Sequence, residues 1–508
     1  MSTVKIGWAS RDISSDKPVI ISGQAHQRIS KGVHDPVTTT AMVIEDGDVA
    51  IMVSADMVSL TGPQLDMVRA KVAKKNPEIP VMNIFMGATH THTGAPRTAE
   101  ANLWKTIDGL EECPVKVEVA NSDEYIDWMT DMVTDEICEA WDTRKESQIA
   151  YGYGYAVVAH SRRVCYFDDL SKRSNVDATD TYAVNGHAAM YGNTNDDNFS
   201  HYEAGADHFI NILYTFDKEG KLTGAVINVP CPCQCSEGEW VLSASYWHDT
   251  REMIRKKYGN IFILPQCASA GDLSPRILHY KKAQARRFAL KYGDPETIDE
   301  DYMRRDIAER ITDAFGEVLS WAKKDMRTTM PVVHKVETYE IERDILTEDV
   351  VEYCKNGLAM ARKKPFVETD DPMQDFITNT RLLSDRNRFL TVIKDYNEQQ
   401  AGIKTRPVEV HVVKVGEIAF ATNPFELYMD FQHRIQARSP FEQVFMVQLC
   451  AQPVAYAGNA CYLCTERGKE GKGYSAIPFS CKFSPNGGQQ YVEAVLKDMK
   501  EIYRKVRS

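Results

Sequence analysis

The sequence predicts a mixed α/β fold, of the α/β or α+β kind, in which a mixed β-sheet core carries flanking helices. Three observations carry that reading. Apolar runs of strand length at 49–53, 81–86 and 261–264 alternate with stretches of helical period at 62–75 and 246–258. Turn signals punctuate them: Asp46-Gly47-Asp48 and Asp217-Lys218-Glu219-Gly220 each read as a hairpin connection. From about 278 to 404 the character changes to charged, long-period helical sequence enclosing one strand at 331–345.

Composition bounds the function. The 508 residues are enough for a large core, and they read as one catalytic domain, 1–508, with a helix-rich flank or cap at about 278–404. A formal net charge of -12 with no dominant basic stretch argues against a nucleic-acid partner. No run approaches the ~18 apolar residues of a membrane span. The first twelve residues hold no apolar signal core, so the expectation is a cytoplasmic protein. Twelve Cys in this length is no disulfide scaffold, and most should be buried thiols. No internal repeat is visible, and homo-oligomerisation stays open.

Taken in order, residues 4–8 and 33–44 read as alternating strands. The strand at 49–53 ends in Ser54-Ala55-Asp56, polar residues well placed for a site. The helix at 62–75 leads to the strand at 81–86 and then to Gly87-Ala88-Thr89-His90-Thr91-His92-Thr93-Gly94-Ala95-Pro96. On a strand end, i and i+2 side chains share a face, so His90 and His92 can share one cation, and zinc accepts neutral imidazole. A helix is expected at 122–143, Tyr- and Gly-rich strand at 149–158, and a long polar loop at 185–208. Strands at 209–216 and 225–229 flank the turn at 217–220, and the strand at 261–264 runs into Gly271-Asp272-Leu273-Ser274-Pro275. Helices follow at 299–324 and 375–399, strands at 408–421 and 444–454, and a last helix at 489–507. Pro424 is expected in the first turn of a helix, which would make Glu426 a helix-start carboxylate.

Several of these segments, in this order, resemble the neutral/alkaline ceramidase family, zinc-dependent amidases that cleave the N-acyl bond of ceramide. Val33-His34-Asp35-Pro36 and Ser54-Ala55-Asp56 are similar to its opening strands. Gly87 to Pro96 resembles its T-H-T-H-S-G-P motif, and Gly271-Asp272-Leu273-Ser274-Pro275 its G-D-V-S-P motif. Asn423-Pro424-Phe425-Glu426 resembles its P-G-E segment, and Tyr462-Leu463-Cys464-Thr465-Glu466 its tyrosine segment.

The resemblance implies one zinc ion, Zn2+, held by two His, one Glu and one Tyr. His90 is then the first ligand, Glu426 the carboxylate and Tyr462 the tyrosine. His92 is a second ligand or a substrate-facing neighbour. Ser274 matches the catalytic serine, as nucleophile or hydrogen-bond partner, and Asp272 orients its loop. Arg163 resembles the substrate-side arginine of an N-R-S segment. One departure stands out. Where the family places its second ligand His, this chain reads Cys231-Pro232-Cys233-Gln234-Cys235, so Cys231, Cys233 or Gln234 takes that role, or His92 does. Cys233 is the candidate carried forward, because thiolate is a good zinc ligand. No segment matching the family's C-terminal immunoglobulin-like domain follows the tyrosine segment.

The reading is a zinc-dependent hydrolase cleaving an amide bond in a small soluble substrate. A metal-dependent enzyme acting on a sugar-like substrate and a non-catalytic metal-binding homologue remain the alternatives.

Overall fold

A computed structural model describes residues 3–99, 103–174, 186–293, 300–456 and 461–504. Its larger sheet has eight strands: β1 (Lys5–Asp12), β2 (Thr38–Asp46), β3 (Asp48–Ala55), β4 (Ile84–Ala88), β5 (Lys145–Tyr155), β6 (Phe209–Asp217), β7 (Leu222–Val229) and β8 (Phe262–Cys267). They lie in the order β8-β7-β6-β5-β1-β2-β3-β4. A second sheet holds β9 (Val332–Glu342), β10 (Thr405–Val415), β11 (Ile418–Thr422) and β12 (Gln443–Val447), in that order.

One plan recurs three times. In β1–β4, β5–β8 and β9–β12 the first three strands pair antiparallel and the fourth adds parallel at the edge. A parallel neighbour needs a crossover. The helices α1 (Gly62–Lys75), α3 (Tyr246–Tyr258) and α8 (Met429–Arg438) supply it in the three units. β1 and β5 join the first two units antiparallel. Gly47, at φ 87°, makes the tight β2–β3 turn in a region that favours glycine.

Strand alternation sorts the side chains into layers. Ala41 and Val43 of β2 pack under α1 and α2 (Ser122–Asp142), with Val68 and Met129. Met42 and Ile44 face the other way, toward Val413, Phe420 and Phe445 of the second sheet. In the other half Ile210, Ile212 and Tyr214 of β6 pack under α3 and α5 (Glu300–Ala322), with Ile254 and Phe315. The outer face of the second sheet is covered by α8 and by α9 (Pro485–Arg504), through Phe431, Ile435, Tyr491 and Val495. The result is a helix–sheet–sheet–helix sandwich.

The charged stretch contributes α4 (Lys281–Tyr292), α5, α6 (Glu348–Lys363) and α7 (Pro372–Gln400), and β9 inside it belongs to the second sheet. Phe376 and Leu383 of α7 close over Ile20, Leu103 and Trp104.

Three local expectations change. Val81–Asn83 is a 3-10 turn, and β4 begins only at Ile84. The polar segment after residue 185 contains strands Ala188–Met190 and Phe199–Tyr202, which flank Arg163–Tyr166. The helix expected near Pro424 starts at Met429, because Glu426–Leu427 is a short strand paired parallel with Tyr462–Leu463. Residues 185, 299 and 505–507 of the expected loop and helices lie outside the described residues.

Candidate active site

Loops leaving the C-terminal ends of the strands bring the site together, as the edge of a parallel pair does generally. The loop after β4 carries His90 and His92, the loop after β7 carries Gln234, the loop after β8 carries Gly271 to Ser274, and the segment after β11 carries Glu426.

His90 and His92 do not converge through strand alternation. β4 ends at Ala88, and His90 takes a left-handed backbone, φ 66°. That turn still puts His90 Nε2 3.4 Å from His92 Nε2. Glu426 Oε2 lies 3.5 Å from the same His90 atom. The strand pairing Glu426↔Tyr462 sets the fourth candidate ligand beside the third.

The tautomers are set by neighbours. His90 Nδ1 lies 2.7 Å from the Val58 carbonyl, which only accepts, so Nδ1 bears a proton and Nε2 is the nitrogen turned to the cluster. Gln234 Nε2 donates to His92 Nε2 at 2.8 Å, leaving the His92 proton on Nδ1, 3.5 Å from Glu237 Oε2. Burial lowers the His92 pKa well below its usual value, and His90, Arg28, Arg162 and Arg276 add to it, so the ring is neutral at pH 7. For Glu426 burial pushes the pKa up, but His90 and Arg162 outweigh it and hold the carboxylate below its ordinary range. Burial raises the Tyr462 phenol.

His90 Nε2 is therefore flanked by His92 Nε2 on one side and by a Glu426 oxygen on the other. Ligands around a tetrahedral zinc stand about 3.3 Å apart, given Zn–N bonds near 2.0–2.1 Å. The separations of 3.4 and 3.5 Å from His90 match that edge. The three donors do not all lie within 4.8 Å of one another, so His92 and Glu426 would have to close on a common ion. The Val58 bond is the outer contact that a metal-ligating His makes. His90 with either neighbour offers a pair of donors suited to a cation, and Gln234 competes for the His92 nitrogen.

Arg162, rather than Arg163, reaches this cluster. Its Nη2 donates to Gly271 O at 3.0 Å, Tyr462 Oη at 3.2 Å and Glu426 Oε2 at 3.4 Å. Its Nη1 donates to Tyr191 Oη at 3.2 Å. Arg163 points the opposite way and is fully buried, with Nε and Nη2 on Glu203 Oε2 at 2.9 and 2.6 Å. Cys233 is likewise turned aside. Its thiol donates to Ala244 O at 3.2 Å, and burial raises its pKa well above the usual value, so it is no thiolate. The neighbouring Gln234 reaches His92 instead.

Ser274 is fully buried, and its Oγ accepts from the Arg276 N–H at 3.1 Å. Asp272 holds the turn: its carbonyl accepts from Arg162 N at 3.0 Å and its Oδ1 from Met429 N at 2.9 Å. Burial pushes the Asp272 carboxyl up to about 7. Tyr191, Glu237 and Arg276 line a cavity of about 420 Å³ beside the cluster.

Sequence reasoning passed over Arg162, Tyr191, Glu237 and Arg276. Only Arg162 left a trace, since Ser161-Arg162-Arg163 fits an N-R-S pattern better at its middle residue. The described residues that do bring one atom each within 4.8 Å of the others are His34, Glu239 and Asp301. There Arg304 Nη1 already meets His34 Nδ1 at 3.3 Å and Asp301 at 3.6 Å, and a guanidinium fills the role of the cation.

No family model and no curated protein matches the sequence. Solved structures do match. Over 98% of this chain and 75% of that chain, it is similar to the neutral ceramidase from Pseudomonas aeruginosa, at 15% identity and a TM-score of 0.64. A structure titled "Ceramidase complexed with C2" covers 99% of this chain and 76% of its own, at 14% identity and a TM-score of 0.63. The eight-stranded and four-stranded sheets with their helices thus form the fold of the neutral ceramidases.

Proposed function

We propose that this chain is a metal-dependent hydrolase cleaving an amide, N-acyl bond in a small substrate. The observation that carries the reading is His90, whose Nδ1 is tied to Val58 while its Nε2 stands 3.4 Å from His92 and 3.5 Å from Glu426, each near the edge of a zinc site. The fold shared with ceramidases supports a reaction of this class.

His90, His92, Glu426 and Tyr462 would hold the ion. Bound zinc would supply a Lewis acid beside the scissile carbonyl. The remaining roles belong to the protein. Arg162 is a fixed cation, braced by Gly271 O and Tyr191, and it stabilises negative charge developing on the carbonyl oxygen. Its backbone is held by Asp272, which therefore positions rather than reacts. Glu237 Oε2 stands 3.5 Å from His92 Nδ1 and acts on the ring by its charge, while Gln234 donates to Nε2. Ser274 Oγ accepts from Arg276, so its own proton is left to donate to the substrate. The cavity, open beside these groups, seats the rest of the molecule.

The test is a screen of small N-acyl compounds with zinc-loaded and chelator-treated protein. Hydrolysis by the loaded form alone is expected. Equal hydrolysis by both forms, or by neither, overturns the reading.

A further inference from the structure

The chain of hydrogen bonds that ends on His92 starts at the cavity wall, at Tyr191. The strand pairing Met190↔Arg163 brings the next residue, Tyr191, against Arg162, and the Tyr191 N–H donates to the Arg162 carbonyl at 2.7 Å. Tyr191 takes a left-handed backbone, φ 55°, a conformation that is strained for a bulky residue and collects at functional sites. The phenol lies back over Arg162, with the guanidinium carbon 5.6 Å from the ring centre and Nη1 3.2 Å from Oη. Tyr191 thus grips Arg162 by its backbone and by its hydroxyl.

The count of protons orients the rest. A guanidinium only donates, so Tyr191 Oη accepts from Arg162 and keeps its own proton to give. Among the described residues the acceptor it meets is Gln234 Oε1, 3.4 Å from Tyr191 Oη and 3.5 Å from Arg162 Nη1. Two donors on that side set the amide with its oxygen toward them and its NH2 toward His92. Gln234 Nε2 then donates to His92 Nε2 at 2.8 Å, the shortest of these side-chain contacts. Gln234 is 2% exposed, and its segment is tied to the histidine loop by the Cys233 N–H on Thr89 O at 3.2 Å. With the backbone held, His92 is released by rotation of the Gln234 side chain, which breaks the contacts to Tyr191 and Arg162.

We propose that Tyr191 is a positioning residue for the cation site, which through Gln234 holds the His92 Nε2 lone pair in a hydrogen bond and so withholds it from a metal ion. The site then has two settings. Latched, His90 and Glu426 offer their donors while His92 belongs to Gln234; released, His92 joins them. This rests on the metal-dependent reading for what the latch controls, and on the Tyr191–Gln234–His92 chain alone for the latch itself. Tyr191 is 37% exposed and Gln234 is buried, so the phenol is the part of the latch that a molecule in the cavity meets.

The experiment measures the zinc affinity of the whole chain by competition with a fluorescent chelator, which needs no turnover. It compares wild type, Tyr191→Phe, Gln234→Ala and the double variant. Tyr191→Phe keeps the ring over Arg162 and removes the hydroxyl. It should raise zinc affinity about two- to tenfold, the weight of one hydrogen bond. Gln234→Ala should raise it at least as much, and on that background Tyr191→Phe should add nothing, because the phenol acts through the amide. Gln234→Leu, which fills the space without donor or acceptor, repeats the cycle where Gln234→Ala fails to fold. General loosening of the site would lower affinity rather than raise it. Equal or weaker zinc binding by Tyr191→Phe, or a gain that persists without Gln234, overturns the proposal. No zinc binding by any of the four overturns it together with the hydrolase reading. The expected pattern with no N-acyl compound hydrolysed by any zinc-loaded form sinks the hydrolase reading and leaves the latch standing. Zinc-dependent hydrolysis with equal affinities in all four does the reverse.

Discussion

His90 aims its Nε2 at the Glu426 carboxylate from 3.5 Å, across 336 positions of sequence and between two different sheets' loops. The bond from His90 Nδ1 to Val58 fixes Nε2 as the nitrogen that meets the carboxylate. A metal ion there would take the place of a proton between the two. One zinc per chain is expected by elemental analysis. Zinc at a hundred times its Kd should stabilise the protein by about 2.7 kcal/mol. His90→Ala and Glu426→Ala should abolish that gain, and an unchanged gain in both would remove the site.

Gln234 stands at hydrogen-bond distance from His92 Nε2, 2.8 Å, in the segment where the resembling family carries a ligand His. Gln234→His supplies a nitrogen donor in place of a competitor for the His92 lone pair. Zinc affinity should rise on the order of 10- to 100-fold, by analogy with changes around metal-bound histidines. Competition with a fluorescent chelator measures it. Unchanged or weaker affinity would mean that Gln234 contributes nothing to the cation site.

Arg162 and Arg163 are adjacent and should behave oppositely. Arg163→Met leaves Glu203 buried without its partner, a loss of about 3–5 kcal/mol of stability. Arg162→Lys keeps the charge but loses the fork that grips Gly271, Tyr462 and Tyr191. It should cost at least about a hundredfold in turnover and less stability than Arg163→Met. Denaturation midpoints and rates, measured together, decide; an active Arg162→Lys would reject its role.

Ser274 is fully buried, so truncation has a structural cost as well as a chemical one. Ser274→Ala strands the Arg276 N–H and should cost about 1–3 kcal/mol. A hundredfold or greater loss of rate is expected with metal content unchanged, an effect of about 2.7 kcal/mol or more on the barrier. A variant of near-normal turnover would make Ser274 a turn residue.

Asp272 links stability to pH. Folding raises its pKa from about 3.9 in the unfolded chain to about 7. Below both values its proton is bound in both states and nothing is lost. As pH rises through that window the unfolded state ionises first, so the native state loses stability. Asp272→Asn cannot ionise. Its stability relative to wild type should climb from pH 4 to pH 7 and then level off, by at most about 4 kcal/mol. Denaturant midpoints across that range measure it, and a difference independent of pH would contradict it.

Local features were legible where local forces decide them. The helix expected at 62–75 is α1, Gly62–Lys75, capped by the Thr61 and Gln64 box with Pro in its first turn. The helix at 246–258 is α3, and Asp46-Gly47-Asp48 is the β2–β3 turn. The threefold strand plan was invisible, because it recurs in pairing direction and crossover rather than in residues. Pro424 misled because a strand pairing with Tyr462 overrode the helix-start preference.

The sequence by itself determined the mixed α/β class, most of the elements, and the segments from which the site is drawn: His90 and His92, Gly271 to Ser274, Glu426 and Tyr462. Only the tertiary structure decided how those segments meet. It placed Arg162 rather than Arg163 in the cluster and turned Gln234 rather than Cys233 toward His92. In both places neighbouring residues leave an irregular backbone in different directions. A single dihedral, such as the left-handed φ of 66° at His90, then sets where a side chain points. Periodicity describes regular strands and helices, and it carries no information about direction where the chain has left them.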